Sequence, residues 1–328
     1  MVTDIQNRKN ARSSTEAGLW EGWMGDGRFP LALVAFCLGG SGAFALFLCA
    51  TGHFLPHDVV WLGADAAALE RLAGKEVVAF MFHDRAAFGG ALLAIGILYG
   101  WLVRFPLTAG ECWAWWTLAV SGGLGFASFL TYLGTGYLDT WHGAATLVLL
   151  ALFVAGMVRA RGLPVSKSGG KRRMAWRGWG ADKRSTSGRW GRRLLTVYGV
   201  GLIAAGLTIA AVGMSTVFVP QDLAFMKKTR VEICSVSDRL LPLIAHDRAG
   251  FGGGLVSIGA LILGITGWAE PSRGCREALL WSGVAGFGCA IGIHWIVGYL
   301  DFLHLAPAYA GAALFAVGLT LFWTECGK

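Results

Sequence analysis

The chain has 328 residues, 55% of them hydrophobic and 15% charged, with a mean hydropathy of +0.56. That balance excludes a water-soluble domain of this size, because the apolar excess has to face lipid or other apolar helices. The formal charge of +8 does not point to nucleic acid, since twelve of the 28 Lys/Arg lie between Arg159 and Arg193 beside one acid, Asp182. A lone basic block between apolar runs marks a cytoplasmic loop lying against anionic headgroups.

In chain order, residues 1–29 are polar and mixed in charge and are expected to form a cytoplasmic N-terminal segment. Eight apolar runs follow, at 30–52, 77–103, 112–134, 137–158, 194–219, 241–268, 277–297 and 300–323. Each is near the roughly 20 residues that cross a bilayer as a helix. Trp101, Arg104, Trp113, Trp115 and Trp116 flank one connection, and Trp268, Arg273, Arg276 and Trp281 flank its counterpart, as interfacial anchors do. With the basic loop inside, both termini are cytoplasmic and the loops at 53–76 and 220–240 face outward. The expected location is a bacterial inner membrane. Seven cysteines show no metal-finger spacing, and a Cys49–Cys234 disulfide on the outer side is one option for two of them.

The chain is duplicated. His83-Asp84-Arg85-Ala86-Ala87-Phe88-Gly89-Gly90 recurs as His246-Asp247-Arg248-Ala249-Gly250-Phe251-Gly252-Gly253, and Gly136-Tyr137-Leu138-Asp139-x-x-His142 recurs as Gly298-Tyr299-Leu300-Asp301-x-x-His304. Phe54-Leu55-Pro56-His57-Asp58 has a looser echo in Phe218-Val219-Pro220-Gln221-Asp222. Four spans per copy is an even number, so the copies enter the membrane in the same orientation. The expected fold is therefore all-α, with eight transmembrane helices as two tandem parallel four-helix-bundle repeats, 30–160 and 194–328, joined by the basic linker 161–193.

His83, His142, His246 and His304 each lie about two turns in from the outer surface, where ionisable groups usually mark function. Placed by copy, they form the pairs His83–His142 and His246–His304. Three of the four have only small residues or proline at the aligned positions, such as Ala86, Ala87 and Gly90 after His83. Such pairs suit a flat porphyrin with two axial imidazoles, although small residues also serve close helix packing. Asp84, Asp139, Asp247 and Asp301, with Tyr137 and Tyr299, make a second layer that orients imidazoles. Arg85 and Arg248 either meet heme propionates or pair with aspartates of the chain. A metal held by His83, Asp84, Asp139 and His142 is a further alternative, hampered because adjacent residues point about 100° apart on a helix. His53 and His57 lie near the outer interface, where solvated histidines are expected.

Eight spans in two parallel bundles, with a histidine on spans 2, 4, 6 and 8, resemble the heme A synthase family. This chain departs from that family's span-2 motif, which has a Glu three residues before a His-Arg pair. Phe80 and Leu243 stand at the Glu position, and an Asp separates His from Arg. The resemblance implies His83 and His142 facing a substrate heme, His246 and His304 ligating heme b, and a heme-dependent oxidoreductase activity. The expected function is electron transfer or heme modification, with the lipid bilayer, redox-complex subunits or a quinol as partners. A transporter of a small polar substrate and a non-catalytic subunit of a redox complex are the alternatives.

Overall fold

The computed structural model describes residues 25–138, 140–161 and 186–323; the N-terminal segment, Asp139 and most of the basic linker lie outside them. Among the described residues the chain is helical, without strands. The first half has α1 (Arg28–Thr51), α2 (Pro56–Leu62), α3 (Ala66–Ala73), α4 (Lys75–Arg104), α5 (Cys112–Ser128), α6 (Tyr132–Thr135) and α7 (Thr140–Ala160). The second has α8 (Thr186–Met214), α9 (Pro220–Met226), α10 (Arg230–Val236), α11 (Leu240–Trp268), α12 (Arg273–Val297) and α13 (Phe302–Trp323). A short 3-10 turn, Phe129–Thr131, joins α5 to α6. Among the described residues, eight helices, counting α5 and α6 as one, are long and apolar enough to cross a membrane.

The two His-Asp-Arg helices are central. In α4 and α11, 72% and 83% of the apolar window is buried, against 22–28% in the other six. Small residues allow this. A Cβ on Gly42 of α1 would run into the Gly89 carbonyl of α4, and one on Gly206 of α8 into the Gly252 carbonyl of α11. Backbones meeting this closely are how helices pack when apolar burial alone cannot drive them together. Gly122 and Gly283 play the same part for the rings of Phe153 and Phe315. Gly42→Leu and Gly206→Leu are each expected to lose about 1–3 kcal/mol or more by overpacking, seen as a lower unfolding temperature in detergent.

Contacts cross between the halves. α4 packs on α1, α11 and α12, and α11 packs on α8, α4 and α5. Helix α7 lies on α1 and α5, and α13 on α8 and α12. Above the long helices, α2, α3, α9 and α10 form a cap with its own core of Phe54, Leu69, Phe80, Phe218, Met226 and Ile233. Trp61 and Arg239 exchange side-chain-to-carbonyl hydrogen bonds of 3.0 and 2.7 Å, tying the end of α2 to the start of α11.

Two expectations are corrected. The fifth apolar run begins eight residues before its expected start, at Thr186, and ends at Met214. Its polar first turns stay helical because Gly191 abuts Phe322 and buried Arg192 donates to the carbonyls of Thr266 and Ala269 at the end of α11. Its early stop coincides with Val217 at φ 67°, a left-handed conformation costly for a β-branched residue. The proposed Cys49–Cys234 disulfide is absent; both cysteines are free.

Candidate metal centre

The histidines assemble across the halves, not within them. His83 of α4 lies with His294 of α12 and His304 of α13, while His246 of α11 lies with His142 of α7. The expected pairs His83–His142 and His246–His304 are thus overturned. The physical reason is that α12 seats on α4 and α5 on α11, so each central histidine faces the other copy's helices.

The first cluster has three imidazoles, each offering one ligand nitrogen, with all three nitrogens within 4.8 Å of one another. The ring nitrogens facing away are engaged. His83 Nδ1 lies 3.1 Å from Asp84 Oδ1, and His294 Nδ1 lies 2.6 Å from the Ala290 carbonyl. His304 Nδ1 is 3.2 Å from the Tyr299 hydroxyl, which itself donates to Asp222 at 2.8 Å. Burial, with the Asp222 carboxylate beside it, pushes the Tyr299 phenol up, so it stays protonated and its oxygen accepts from His304. Carboxylate, carbonyl and hydroxyl all accept here, which places a ring proton on each Nδ1 and, in the neutral ring, leaves Nε2 as a lone pair. Yet Nε2 of His83 meets Nε2 of His294 at 2.9 Å. Two lone pairs at that distance repel unless a cation, a shared proton or a metal ion, sits between them.

The backbone fixes these side chains. Asp301 Oδ1 accepts from the His304 amide at 2.8 Å and so starts α13 as its N-cap. Gly298, at φ 78°, turns the chain out of α12 between His294 and Tyr299.

Around the cluster runs a buried ionic frame. Arg248 reaches Asp84 through Nε at 3.0 Å and Asp222 through Nη1 at 2.7 Å, and also donates to the Val217 carbonyl. The other half repeats it: Arg85 holds Asp247 at 3.0 Å and Asp58 at 2.7 Å, Tyr137 donates to Asp58 at 2.8 Å, and His246 Nδ1 lies 3.1 Å from Asp247. Both guanidiniums therefore pair with the chain's own aspartates, the second of the two roles expected for them. Asp58, Asp84, Asp222 and Asp247 are 0–6% exposed, and the two arginines 5% and 7%. Four carboxylates face two guanidiniums, and a histidine stands beside each carboxylate: His57 at 3.6 Å from Asp58, His83 at 3.1 Å from Asp84, His304 at 3.9 Å from Asp222 and His246 at 3.1 Å from Asp247. Burying unpaired charge is costly.

A bis-histidine heme needs two imidazoles facing across a porphyrin plane. These residues do not fit one: the direct His83–His294 contact leaves no layer between rings, and Tyr299 stacks on His304 at 4.5 Å while Phe80 stacks on His83 at 5.7 Å. An apolar cavity between α1, α4, α5 and α11 is lined by Phe88, Tyr99, Phe126 and Tyr132 and has no histidine in its wall. A single ion suits the geometry better.

Sequence reasoning placed His83, His142, His246, His304, Asp84, Asp247, Asp301, Tyr137 and Tyr299 in or beside the clusters. It missed His294, because Tyr132 occupies the matching position, and it left His57 to solvent although it lies 4.6 Å from His142, ring centre to ring centre. Asp58 and Asp222 were legible only as the ends of the looser Pro-x-Asp echo. Asp139 lies outside the described residues. No protein-family model, curated protein or solved structure matches this chain.

Tyr299→Phe removes the hydroxyl between Asp222 and His304. The expected result is a metal affinity about 10–100-fold weaker, read by competition with a chromogenic chelator.

Proposed function

We propose that the chain is an integral membrane protein in which His83, His294 and His304 hold a first-row transition-metal cation that serves redox chemistry. One observation carries this: three imidazoles converge with one ligand nitrogen of each within 4.8 Å of the others and with every Nδ1 engaged, beside a frame that holds two carboxylates for each guanidinium. Neutral imidazole suits copper, iron, nickel and zinc, and three ligands leave a position open for a further group. Aromatic rings wrap the site, and a redox ion fits such a shielded place. Held there by His83, His294 and His304, such an ion would supply one-electron chemistry between two oxidation states.

The membrane setting is supported by the eight apolar helices and by large exposed apolar side chains on their outer faces, such as Phe36, Phe47, Leu147, Leu207, Ile296 and Leu303. The basic linker supports a reading in which both termini are cytoplasmic and the histidines lie towards the outer face. Two tandem parallel repeats account for the matched frames around Arg85 and Arg248.

Full-length protein purified in mild detergent tests the reading by elemental analysis and by its absorption spectrum. The expected result is a transition metal in the sample, lost in His294→Ala, with a change in the metal's absorption or paramagnetic signal on reduction. A metal-free preparation that takes up none when supplied would overturn it. A stoichiometric Soret band would overturn it in favour of heme. Redox-silent zinc would keep the site and discard the electron transfer.

A further inference from the structure

We propose that the cavity between α1, α4, α5 and α11 binds an isoprenoid quinone, which enters from the lipid and sets its ring against Tyr132. The site lies apart from the three-histidine cluster and needs only the membrane setting, so the two readings can fail separately. Its walls are almost wholly apolar, with the rings of Phe88, Phe126 and Phe129 among them. The space is about 50 Å³ and opens on one side, so it admits a thin, flat molecule and excludes a bulky one. The opening follows from the seating of α7, whose buried residues are Phe153, Gly156, Met157 and Ala160, all near its C-terminal end. Phe153 rests on Gly122 of α5 and Gly156 on Leu31 of α1. The earlier turns of α7, with Leu147 and Val148 exposed, leave the outer part of that flank uncovered.

The two copies differ at this place. On α11, Gly250 and Gly254 stand where α4 has Ala87 and Ala91 at the matching positions of the repeat. A Cβ on Gly250 would collide with the Tyr132 hydroxyl and lie 3.0 Å from the Phe88 ring, so this glycine makes the room in which that hydroxyl stands. Tyr132 is itself unmatched, because His294 holds its place in the other copy. It is 2% exposed, and its hydroxyl has no hydrogen-bond partner among the described residues. Behind its ring, 3.8 Å away, lies that of His246, whose Nε2 is also buried without such a partner. A buried hydroxyl left unpaired is costly, and a ligand oxygen restores the bond. These features select a molecule from the lipid phase that is flat, mostly apolar and carries a hydrogen-bond acceptor. A quinone carbonyl accepts from the Tyr132 hydroxyl, its ring packs among the aromatic side chains, and its tail runs out to the lipid. The hydrocarbon of an acyl chain offers Tyr132 no acceptor.

The test is a calorimetric titration of full-length protein in mild detergent with a benzoquinone carrying one isoprene unit, and with oleate as the acyl-chain competitor. Wild type is expected to saturate at one quinone per chain, with oleate a poor competitor. Tyr132→Phe keeps the ring, removes the hydroxyl and is expected to weaken quinone binding roughly tenfold. A Cβ on Gly254 meets nothing closer than 3.4 Å, so Gly254→Leu fills the cavity and is expected to abolish binding. Circular dichroism and gel filtration identify any variant that fails to fold, and the conservative Tyr132→Phe then decides. Binding that does not saturate, or that is equal in wild type and Tyr132→Phe, would overturn the proposal. Oleate binding as tightly as the quinone and indifferent to Tyr132→Phe would give the cavity to an acyl chain and overturn it too. Saturable, Tyr132-dependent quinone binding by a protein that takes up no metal would leave this site standing and overturn only the metal reading.

Discussion

Replacing Arg248 by Met is expected to cost the folded protein about 3–5 kcal/mol, the usual penalty for breaking a buried ion pair from one side. The reason is the frame itself. Arg248 is the cation within 3.0 Å of both Asp84 and Asp222, and both carboxylates are shut away from water. Its removal leaves two buried carboxylates without their guanidinium. Against a typical stability of about 5–15 kcal/mol, this is a large share of the total, and the yield of monodisperse protein should fall sharply. Arg85→Met should do the same through Asp58 and Asp247. The compensated triple variant Arg248→Met, Asp84→Asn, Asp222→Asn should regain much of the loss, because neutral amides replace the stranded charges. Thermal unfolding in detergent measures all three. A single Arg248→Met variant as stable as wild type would show that the carboxylates are not jointly ionised, and the charge argument for a cation would go with it.

The second large effect is expected from His294→Ala. Removing one of three ligands, whose Nε2 touches that of His83 at 2.9 Å, should lower metal affinity by more than about 100-fold, since even outer partners of a ligand contribute 10–100-fold. His294→Tyr copies Tyr132 and should lose the ion just as fully. Both variants should keep their fold, because His294 packs against its neighbours without belonging to the ionic frame. Affinity unchanged in both would remove His294 from the site. Equal loss of stability and of metal would instead point to a structural histidine.

The eight helices follow from apolar run length, and the duplication from two motifs that recur in the same order at nearly the same offset. Which copy supplies each partner did not follow. A duplicated sequence offers His83 the same helix twice, as His142 or as His304, and only the seating of α12 on α4 and α5 on α11 decides. That seating depends on small residues such as Gly90, which abuts Cys289, and Gly253, which abuts Ser128. Their pairing is not encoded in either segment alone. His294 is visible in the sequence only as a difference between the copies, where Tyr132 stands at the matching position, and so it falls outside the matched motifs that define the expected site. His57 sat in a loop whose fold-back over α7 depends on cap contacts such as Trp61 with Arg239. Asp58 and Asp222 are each one of several acids in a connecting segment, and only their shared role as acceptors for Tyr137 and Tyr299 singles them out.

The most direct measurement of the central claim is X-ray absorption at the metal edge of the purified, metal-loaded full-length protein. Imidazole scattering is predicted, with nitrogens at about 2.0–2.1 Å, no sulfur shell, and a coordination number that falls in His294→Ala. A porphyrin signature, a cysteine sulfur shell, or a spectrum unchanged in His294→Ala would contradict the account.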